Sequence, residues 1–567
     1  MKYWRTNLIF LFIILFAAAI IGRLIFLQII NQDYWRALAK GQQKIFLEIP
    51  GKRGEIFLSD RNNNLYSLAI NRDFDLVYVA PNEIINTEDT AEVLAKILTL
   101  EKDFILSKLQ ADSLYELIKN KLPREETEDI KNLNLSGVYL GKETFRYYPQ
   151  QFLASHVAGF FGRDETGQYG VEGYHDDILK GTEGFREGER TAQGFFLAFY
   201  ERFSPAKEGT DLVLTLDYNI QFKAEKLLKE AGEELEVEEG TIIVINPYSG
   251  KILAMANFPN FNPNQYSEVK NFEIFQNGAI QKIFEPGSVF KPIVVAAALD
   301  QRKITPDTSY TDKGFVKIGG YTIYNYDKRV WGKRTVTEVL EKSINTGAVF
   351  VETRIGHNLF LQYIEKFGIF EKTGIDLEGE VFSTNSNLKE GYEINFATAS
   401  FGQGIEMTAI QLARAFSVIA NGGRLVKPYS VKSLTTFQKE GFDQTDYAKD
   451  GGVQVISQKT ASQLTAMLVS VVDNGFGKGA KIPGYFIAGK TGTAQVPFGA
   501  LGINKSGYSD KTIQTFIGFA PAFNPQFLIL VKLYNPQTKT AEYSAIPVFK
   551  KLAKYIIDYY QIPPDYE

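Results

Sequence analysis

The first thirty residues constrain this chain more than any other stretch. Seventeen residues from Thr6 to Gly22 carry no charge, and after Arg23 the apolar run resumes from Leu24 to Ile30 with only Gln28 polar. As a helix, Leu8 to Ile30 reaches about 34 Å at 1.5 Å per residue, enough to cross a bilayer with some tilt. Arg23 falls near the far end, where its stem can carry the charge to the headgroups. Lys2 and Arg5 precede the run, which predicts residues 1–7 as a cytoplasmic tail, 8–30 as a single membrane anchor, and the rest outside the cytoplasm. Ala17-Ala18-Ala19 offers the small residues of a cleavage site, but the apolar run continues past them, so an uncleaved anchor is expected.

The remainder is ordinary globular material. The chain is 44% hydrophobic and 23% charged, and its net charge of -4 gives no electrostatic reason to expect nucleic acid as a partner. Without cysteine, a disulfide scaffold, a thiolate metal site and a cysteine nucleophile are all excluded. His156, His175 and His357 are widely spaced and read as structural or surface residues, so neither a metal nor a cofactor is expected. At about 150 residues per domain, the length allows several domains, or two with one large.

Residues 45–230 read as a mixed domain. Arg53-Gly54-Glu55-Ile56 begins a short strand, a turn follows at Asp60–Asn64, and Tyr66–Asn71 and Asp75–Ala80 read as two strands. Residues 88–121 have helical spacing and predict two short helices. Residues 159–194, rich in glycine and charge, read as loop with a short helix over 171–179. Leu212–Leu216 is an apolar strand and Tyr218–Ala231 a helix. A second domain, 240–560, opens with a hairpin of Thr241–Asn246 and Lys251–Ala256. Helices are expected at 288–300, 335–352, 358–367, 407–420, 457–474 and 545–559. Strands are expected near 485, at 512–520 and at 526–534. Strands at both ends and helices between predict an α+β fold, an antiparallel sheet packed with helices. Residues 432–452 read as a surface insertion.

Three short patterns can carry chemistry. In Glu285-Pro286-Gly287-Ser288-Val289-Phe290-Lys291, Ser288 and Lys291 lie three apart, one helical turn on one face. A serine hydroxyl needs a base, and a partly buried lysine with a lowered pKa can serve. Alone, this spacing is commonly a surface pair. Ser343-Ile344-Asn345 can direct a hydroxyl and an amide into one cleft, or be an ordinary turn. Lys490-Thr491-Gly492-Thr493 lies on or beside a strand. Alternation would send Lys490 and Gly492 to one side, and a strand beside Ser288 could bind an extended peptide by main-chain bonds. Gly484 through Thr491 also matches a phosphate-binding pattern formally, but Tyr485-Phe486-Ile487-Ala488 read as strand rather than glycine loop.

Taken together, in this order and spacing, the three patterns match the acyl-serine set of penicillin-binding proteins and β-lactamases. The sequence resembles a class B penicillin-binding protein over nearly its whole length. Arg53-Gly54-Glu55-Ile56 with Asp60-Arg61, the Gly167–Glu172 stretch and Thr215-Leu216-Asp217 resemble the family's pedestal, or dimerisation-type, domain. Asn63 stands where glycine is usual, and asparagine tolerates a left-handed turn. Phe401-Gly402-Gln403-Gly404 is similar to the family's glycine turn.

The resemblance implies a serine-type peptidoglycan D,D-transpeptidase. Ser288 would attack the D-Ala-D-Ala carbonyl of a stem peptide, Lys291 would take its proton, Ser343 would relay protons, and Asn345 would orient Lys291. Lys490, Thr491, Gly492 and Thr493 would bind the terminal carboxylate and shape the cleft, with the Ser288 and Thr493 amides as oxyanion donors. β-Lactams would be covalent inhibitors and lipid-linked glycan the substrate's carrier. Residues before Gly240 do not resemble a glycosyltransferase, so a membrane glycosyltransferase and other wall-assembly proteins are implied partners. The family offers division-type and elongation-type enzymes; division is the leaning. A DD-carboxypeptidase and a penicillin sensor are the remaining alternatives.

Overall fold

A computed structural model of the chain describes residues 3–32, 44–49, 51–190, 196–197, 203–435, 445–446 and 452–567. Helix α1 (Trp4–Ile25) runs on through a π-helical turn, Phe26–Ile30. Residues 7–29 are long and apolar enough to cross a membrane, and none of that stretch is buried against protein. Such a surface is stable only in an apolar solvent, so the helix fits a single-pass anchor.

The chain divides into two compact units. One joins residues 1–53 with 180–209. Its small antiparallel sheet pairs Lys44–Ile49 with Gly184–Arg190, which also pairs with Phe196–Leu197 and Phe203–Ser204. The loop expected over 159–194 therefore includes a strand, and residues 191–194 lie outside the described residues.

The larger unit joins residues 54–179 with 210–567. Its first sheet contains β1 (Ile56–Ser59), β2 (Leu65–Val79), β3 (Glu116–Leu122), β4 (Val138–Tyr147) and β5 (Asp211–Asp217). β1 and β5 run parallel; β1–β2, β2–β3 and β2–β4 are antiparallel. The β1–β2 turn is held by the Asp60 carboxylate, which accepts from the amides of Asn62 and Asn64 at 2.8 and 2.9 Å, and Asn63 takes the left-handed φ of 61° expected of it. Arg146 on β4 donates to Glu172 at 2.7 Å and to the Gly54 carbonyl at 2.7 Å, while the Tyr148 hydroxyl donates to Glu172 at 3.1 Å. The Glu172 side chain is fully buried. Arg146→Met should therefore lower stability by about 3–5 kcal/mol, the cost of stranding a buried charge. An unchanged thermal unfolding temperature would refute it.

The second sheet is antiparallel, in the order β7–β6–β10–β9–β8, with β6 Glu239–Ile245, β7 Ile252–Phe258, β8 Ala488–Pro497, β9 Tyr508–Ala520 and β10 Phe527–Tyr534. The helices around it are α2 (Tyr218–Glu234), α3 (Lys291–Asp300), α4 (Val336–Glu341), α5 (Asn345–Ile355), α6 (Ala409–Ala420), α7 (Gln458–Asn474) and α8 (Ala545–Tyr560). β6 is apolar on both faces because helices cover both. Ile242 and Val244 pack into one cluster with Leu227 and Leu228 of α2 and Phe549 and Leu552 of α8. Ile243 and Ile245 pack on the other face in a cluster with α3, α6 and α7. α3 is buried from Lys291 to Leu299, and its apolar circumference suits a helix that runs through the core.

Several expectations change. The two strands expected at 66–71 and 75–80 are one, because β3 and β4 both pair along β2 and supply its hydrogen bonds. The helical reading of 88–121 holds for Thr87–Leu98 and Lys102–Leu109, but residues 116–122 pair as β3. Helix 335–352 is two helices, α4 and α5. The start of the expected insertion at 432–452 belongs to a strand, Val431–Thr435, which pairs with β5; residues 436–444 and 447–451 lie outside the described residues.

Candidate active site

The break before Ser288 is made by Gly287, whose φ is 60°. A 3-10 turn over Gly287–Phe290 follows, then α3 from Lys291 with Pro292 in its first turn, where no hydrogen bond is lost. The tighter turn replaces the α-helical start expected at 288. It eclipses positions three apart and brings Lys291 Nζ to 2.9 Å from Ser288 Oγ.

The second pattern sits in the gap between α4 and α5. Ser343 has φ of 53°, uncommon for a residue other than glycine, and this reversal ends α4 and starts α5 at Asn345. The turn places the Ser343 carbonyl 2.6 Å, the Ser343 hydroxyl 3.3 Å and Asn345 Oδ1 2.8 Å from Lys291 Nζ.

The third pattern is on β8, the sheet's edge strand, beside the turn that carries Ser288. Lys490 Nζ lies 3.0 Å from Ser343 Oγ and 3.0 Å from the Thr491 carbonyl, with Thr491 Oγ1 at 3.4 Å. Gly492 faces the same turn, and a Cβ there would stand 3.0 Å from Val289 Cγ1 and 3.1 Å from the Pro286 carbonyl. Thr493 is the exception in the set. Its hydroxyl accepts from the Ala541 amide at 3.3 Å and makes no bond to the lysines or serines.

Both lysines are fully buried. Burial, reinforced by the nearby charge of Lys490, holds the Lys291 amine well below the usual lysine range. Burial alone brings Lys490 down to about 7. A neutral Lys291 can donate its two N–H bonds to the Ser343 carbonyl and to Asn345 Oδ1. That leaves its lone pair for the Ser288 proton. Ser343 Oγ, within reach of both lysines, can accept from one and donate to the other. Ser288 itself is partly exposed, so its hydroxyl is open to the cleft side.

Residues beyond the three patterns hold them in place. The Thr346 hydroxyl, next to Asn345, donates to Asp312 Oδ1 at 2.7 Å, and the Thr346 amide donates to Asn325 Oδ1 at 3.1 Å. Asn345 Nδ2 donates to the Tyr324 carbonyl at 3.2 Å. Asp312 and Asn325 were not singled out from the sequence, because no local pattern marks a polar side chain whose partner is about twenty to thirty residues away. On the other flank, Glu285 accepts from the Gly404 amide at 3.0 Å and from the Tyr508 hydroxyl at 3.0 Å, and burial pushes its carboxyl up to about 7.

The Phe401–Gly404 turn also accounts for its glycines. The Gly287 amide donates to the Gly402 carbonyl at 2.9 Å, and Gly402 has φ of 81°. A Cβ on Gly402 would lie 2.0 Å from the Gly287 carbonyl oxygen. Gly402→Ala should therefore displace the Ser288 turn and slow acylation by at least about tenfold, within the range for misplaced catalytic groups. A penicillin acylation rate equal to wild type would remove the turn from the site.

Residues 240–554 match the penicillin binding protein transpeptidase domain, and residues 48–214 match the penicillin-binding protein dimerisation domain. The chain is 34% identical over 539 residues to Stage V sporulation protein D of Bacillus subtilis (strain 168), covering 93% of this chain and 81% of that one. It is 30% identical over 589 residues to a peptidoglycan D,D-transpeptidase FtsI homolog of Mesostigma viride, covering 99% and 96%. Among solved structures, penicillin binding protein 3 of Mycobacterium tuberculosis complexed with ampicillin superposes with a TM-score of 0.70 at 26% identity, over 91% of this chain and 97% of that one.

An edge strand beside a serine–lysine turn, on a sheet wrapped by helices, defines a penicillin-recognising serine acyl-transfer domain. With its dimerisation domain, the chain belongs to the class B penicillin-binding proteins, and it is a serine-type transpeptidase.

Proposed function

We propose that this protein cross-links peptidoglycan stem peptides from the outer face of the plasma membrane, as a division-type D,D-transpeptidase. The observation that carries the reading is the fully buried Lys291 amine, held well below the usual lysine range, 2.9 Å from Ser288 Oγ. Ser288 Oγ attacks the penultimate D-Ala carbonyl as its proton passes to Lys291. Backbone amides of Ser288 and Thr493 take the oxyanion. Lys490, Thr491 and Gly492 line the edge strand that would hold the peptide and its terminal carboxylate. Ser343 relays the proton to the departing D-Ala, and an amine of a second stem peptide resolves the acyl-enzyme. In this reading residues 1–7 are cytoplasmic, 8–30 anchor the chain, 45–230 form the pedestal and 240–560 the catalytic domain. The substrate is lipid-linked, and a membrane glycosyltransferase supplies the glycan, within an assembly of wall-building proteins. β-Lactams acylate Ser288 because they present a strained amide at the same place.

Incubation of the protein with a D-Ala-D-Ala stem peptide, with and without an acceptor amine, tests the reaction class. Cross-linked product when the amine is present supports transpeptidation. Hydrolysis alone, at an unchanged rate, would make the enzyme a carboxypeptidase. The division role is tested by following a tagged copy in growing cells. Midcell recruitment supports it, lateral-wall recruitment overturns it in favour of elongation, and appearance only in sporulating cells would assign the role named for the Bacillus relative.

A further inference from the structure

Helix α5 carries a second feature on its way out of the active site. A cavity of about 490 Å³ opens along it, lined by Thr346, Val349, Phe350, Glu352 and Thr353 and closed by residues from the 310–318 segment, His357 and Glu393. Ser288, Lys291, Ser343 and Lys490 do not line it. Tyr310 and Phe350 stack in its wall, with ring centroids 5.1 Å apart and planes 17° off parallel.

Glu352 is the unusual member. Its residue is only 3% exposed, yet Oε1 has no hydrogen-bond partner. The nearest cationic candidate, His357 Nε2, is 3.6 Å away, beyond hydrogen-bond distance, and its ring is stacked on Phe396 at 4.1 Å. A buried carboxylate without a donor costs several kcal/mol, so such groups are ordinarily paired. Glu393 adds a second carboxylate at the wall. Asp312 is already committed to Thr346, Asn325 and two backbone amides. Lys313 is the lysine at the wall. Among the described residues, no group of three or more acidic or histidine side chains could hold a metal ion. One buried carboxylate at the end of an aromatic-walled cavity instead suits an organic monocation.

We propose that this cavity is a second ligand site, which takes a primary ammonium on a short apolar stem with Glu352 as its counter-charge. The ammonium would supply the donor that the Glu352 carboxylate lacks, and the stem would lie along the edge of the stacked Tyr310–Phe350 pair. Burial, with Glu393 adding like charge, pushes the Glu352 carboxyl up to about 7. Binding should therefore strengthen as pH rises through that value. Lys313, at the wall, opposes an ammonium.

The site is tested on the full chain in detergent by calorimetric titration with n-pentylamine, on the alkaline side of that value. Pentan-1-ol serves as the uncharged twin. Saturable binding of the amine, at least about tenfold weaker in Glu352→Gln and weaker still for the alcohol, is expected from loss of a charged hydrogen bond. Thr353→Trp, at the exposed mouth, should block binding while leaving the buried carboxylate in place. Equal affinity in wild type and Glu352→Gln, or no saturable binding of the amine to wild type, would overturn the site. A peptide bearing a free lysine side chain, titrated in parallel, separates the two sources: tighter binding of the peptide assigns the site to a peptide-borne amine, and tighter binding of n-pentylamine to a free one. The titration is repeated after β-lactam treatment, so that amine in the catalytic cleft is not counted. Failure of that treatment to acylate Ser288 would overturn the transpeptidase reading and leave the cavity's result standing.

Discussion

Ser288→Ala should abolish covalent labelling by penicillin while leaving the fold intact. The expectation follows from position as much as from residue type. Ser288 is a partly exposed hydroxyl whose oxygen lies 2.9 Å from the amine of a buried lysine, at the turn beside the edge strand. Ser343 also reaches a lysine, but it is held between two of them, which suits passing a proton rather than attacking. Intact-mass measurement of the full chain should show one adduct on wild type and none on Ser288→Ala. An adduct on the alanine variant would move the nucleophile elsewhere, with Ser343 the first place to look. The alanine also removes one partner of Lys291, but the Ser343 carbonyl and Asn345 remain, so the unfolding temperature should change little.

Which parts of this arrangement could be read without coordinates follows from how local their causes are. The Ser288–Lys291 pair is legible because a three-residue spacing within one turn fixes a contact. The β6–β7 hairpin, α2 and α8 are legible because their apolar periodicity agrees with their burial. The break in α4–α5 was not, since the residues from Thr335 onward have good helical spacing and only the tertiary demand on Ser343, with its φ of 53°, interrupts it. β3 was lost for the opposite reason: Glu116–Leu122 is half polar, and it becomes a strand because β2 offers it a partner. Thr493 is grouped with Lys490 by the motif, and its hydroxyl also accepts from the Ala541 amide, a distant contact that no local pattern marks. The supports around the site, Asp312, Asn325 and Tyr508, act across about twenty to more than two hundred residues, a range at which one sequence carries no pattern.

Lys291 carries the largest loss after the nucleophile itself. Its amine is fully buried and has four oxygen atoms within 3.3 Å, so the site is built around a compact nitrogen. A guanidinium would be too wide there and would stay protonated, so Lys291→Arg combines a clash with a lost base. Lys291→Met separates the two, since it keeps the length of the stem and removes only the nitrogen. Both should slow acylation of Ser288 by at least about 100-fold, the low end for losing a general base. The pH profile supplies an independent readout. Because the Lys291 pKa is lowered, its free base grows as pH rises through that value, and the wild-type acylation rate should climb with it. Lys490, brought down to about 7, loses its charge as pH rises through that value, and its hold on a substrate carboxylate should weaken. Wild type should thus show a bell whose limbs belong to the coupled pair. Lys291→Met should flatten the rising limb, whereas a variant that was merely misfolded would lower the whole bell without changing its shape. A Lys291→Met enzyme that kept the rising limb, or acylated within about threefold of wild type, would leave Ser288 in need of another base.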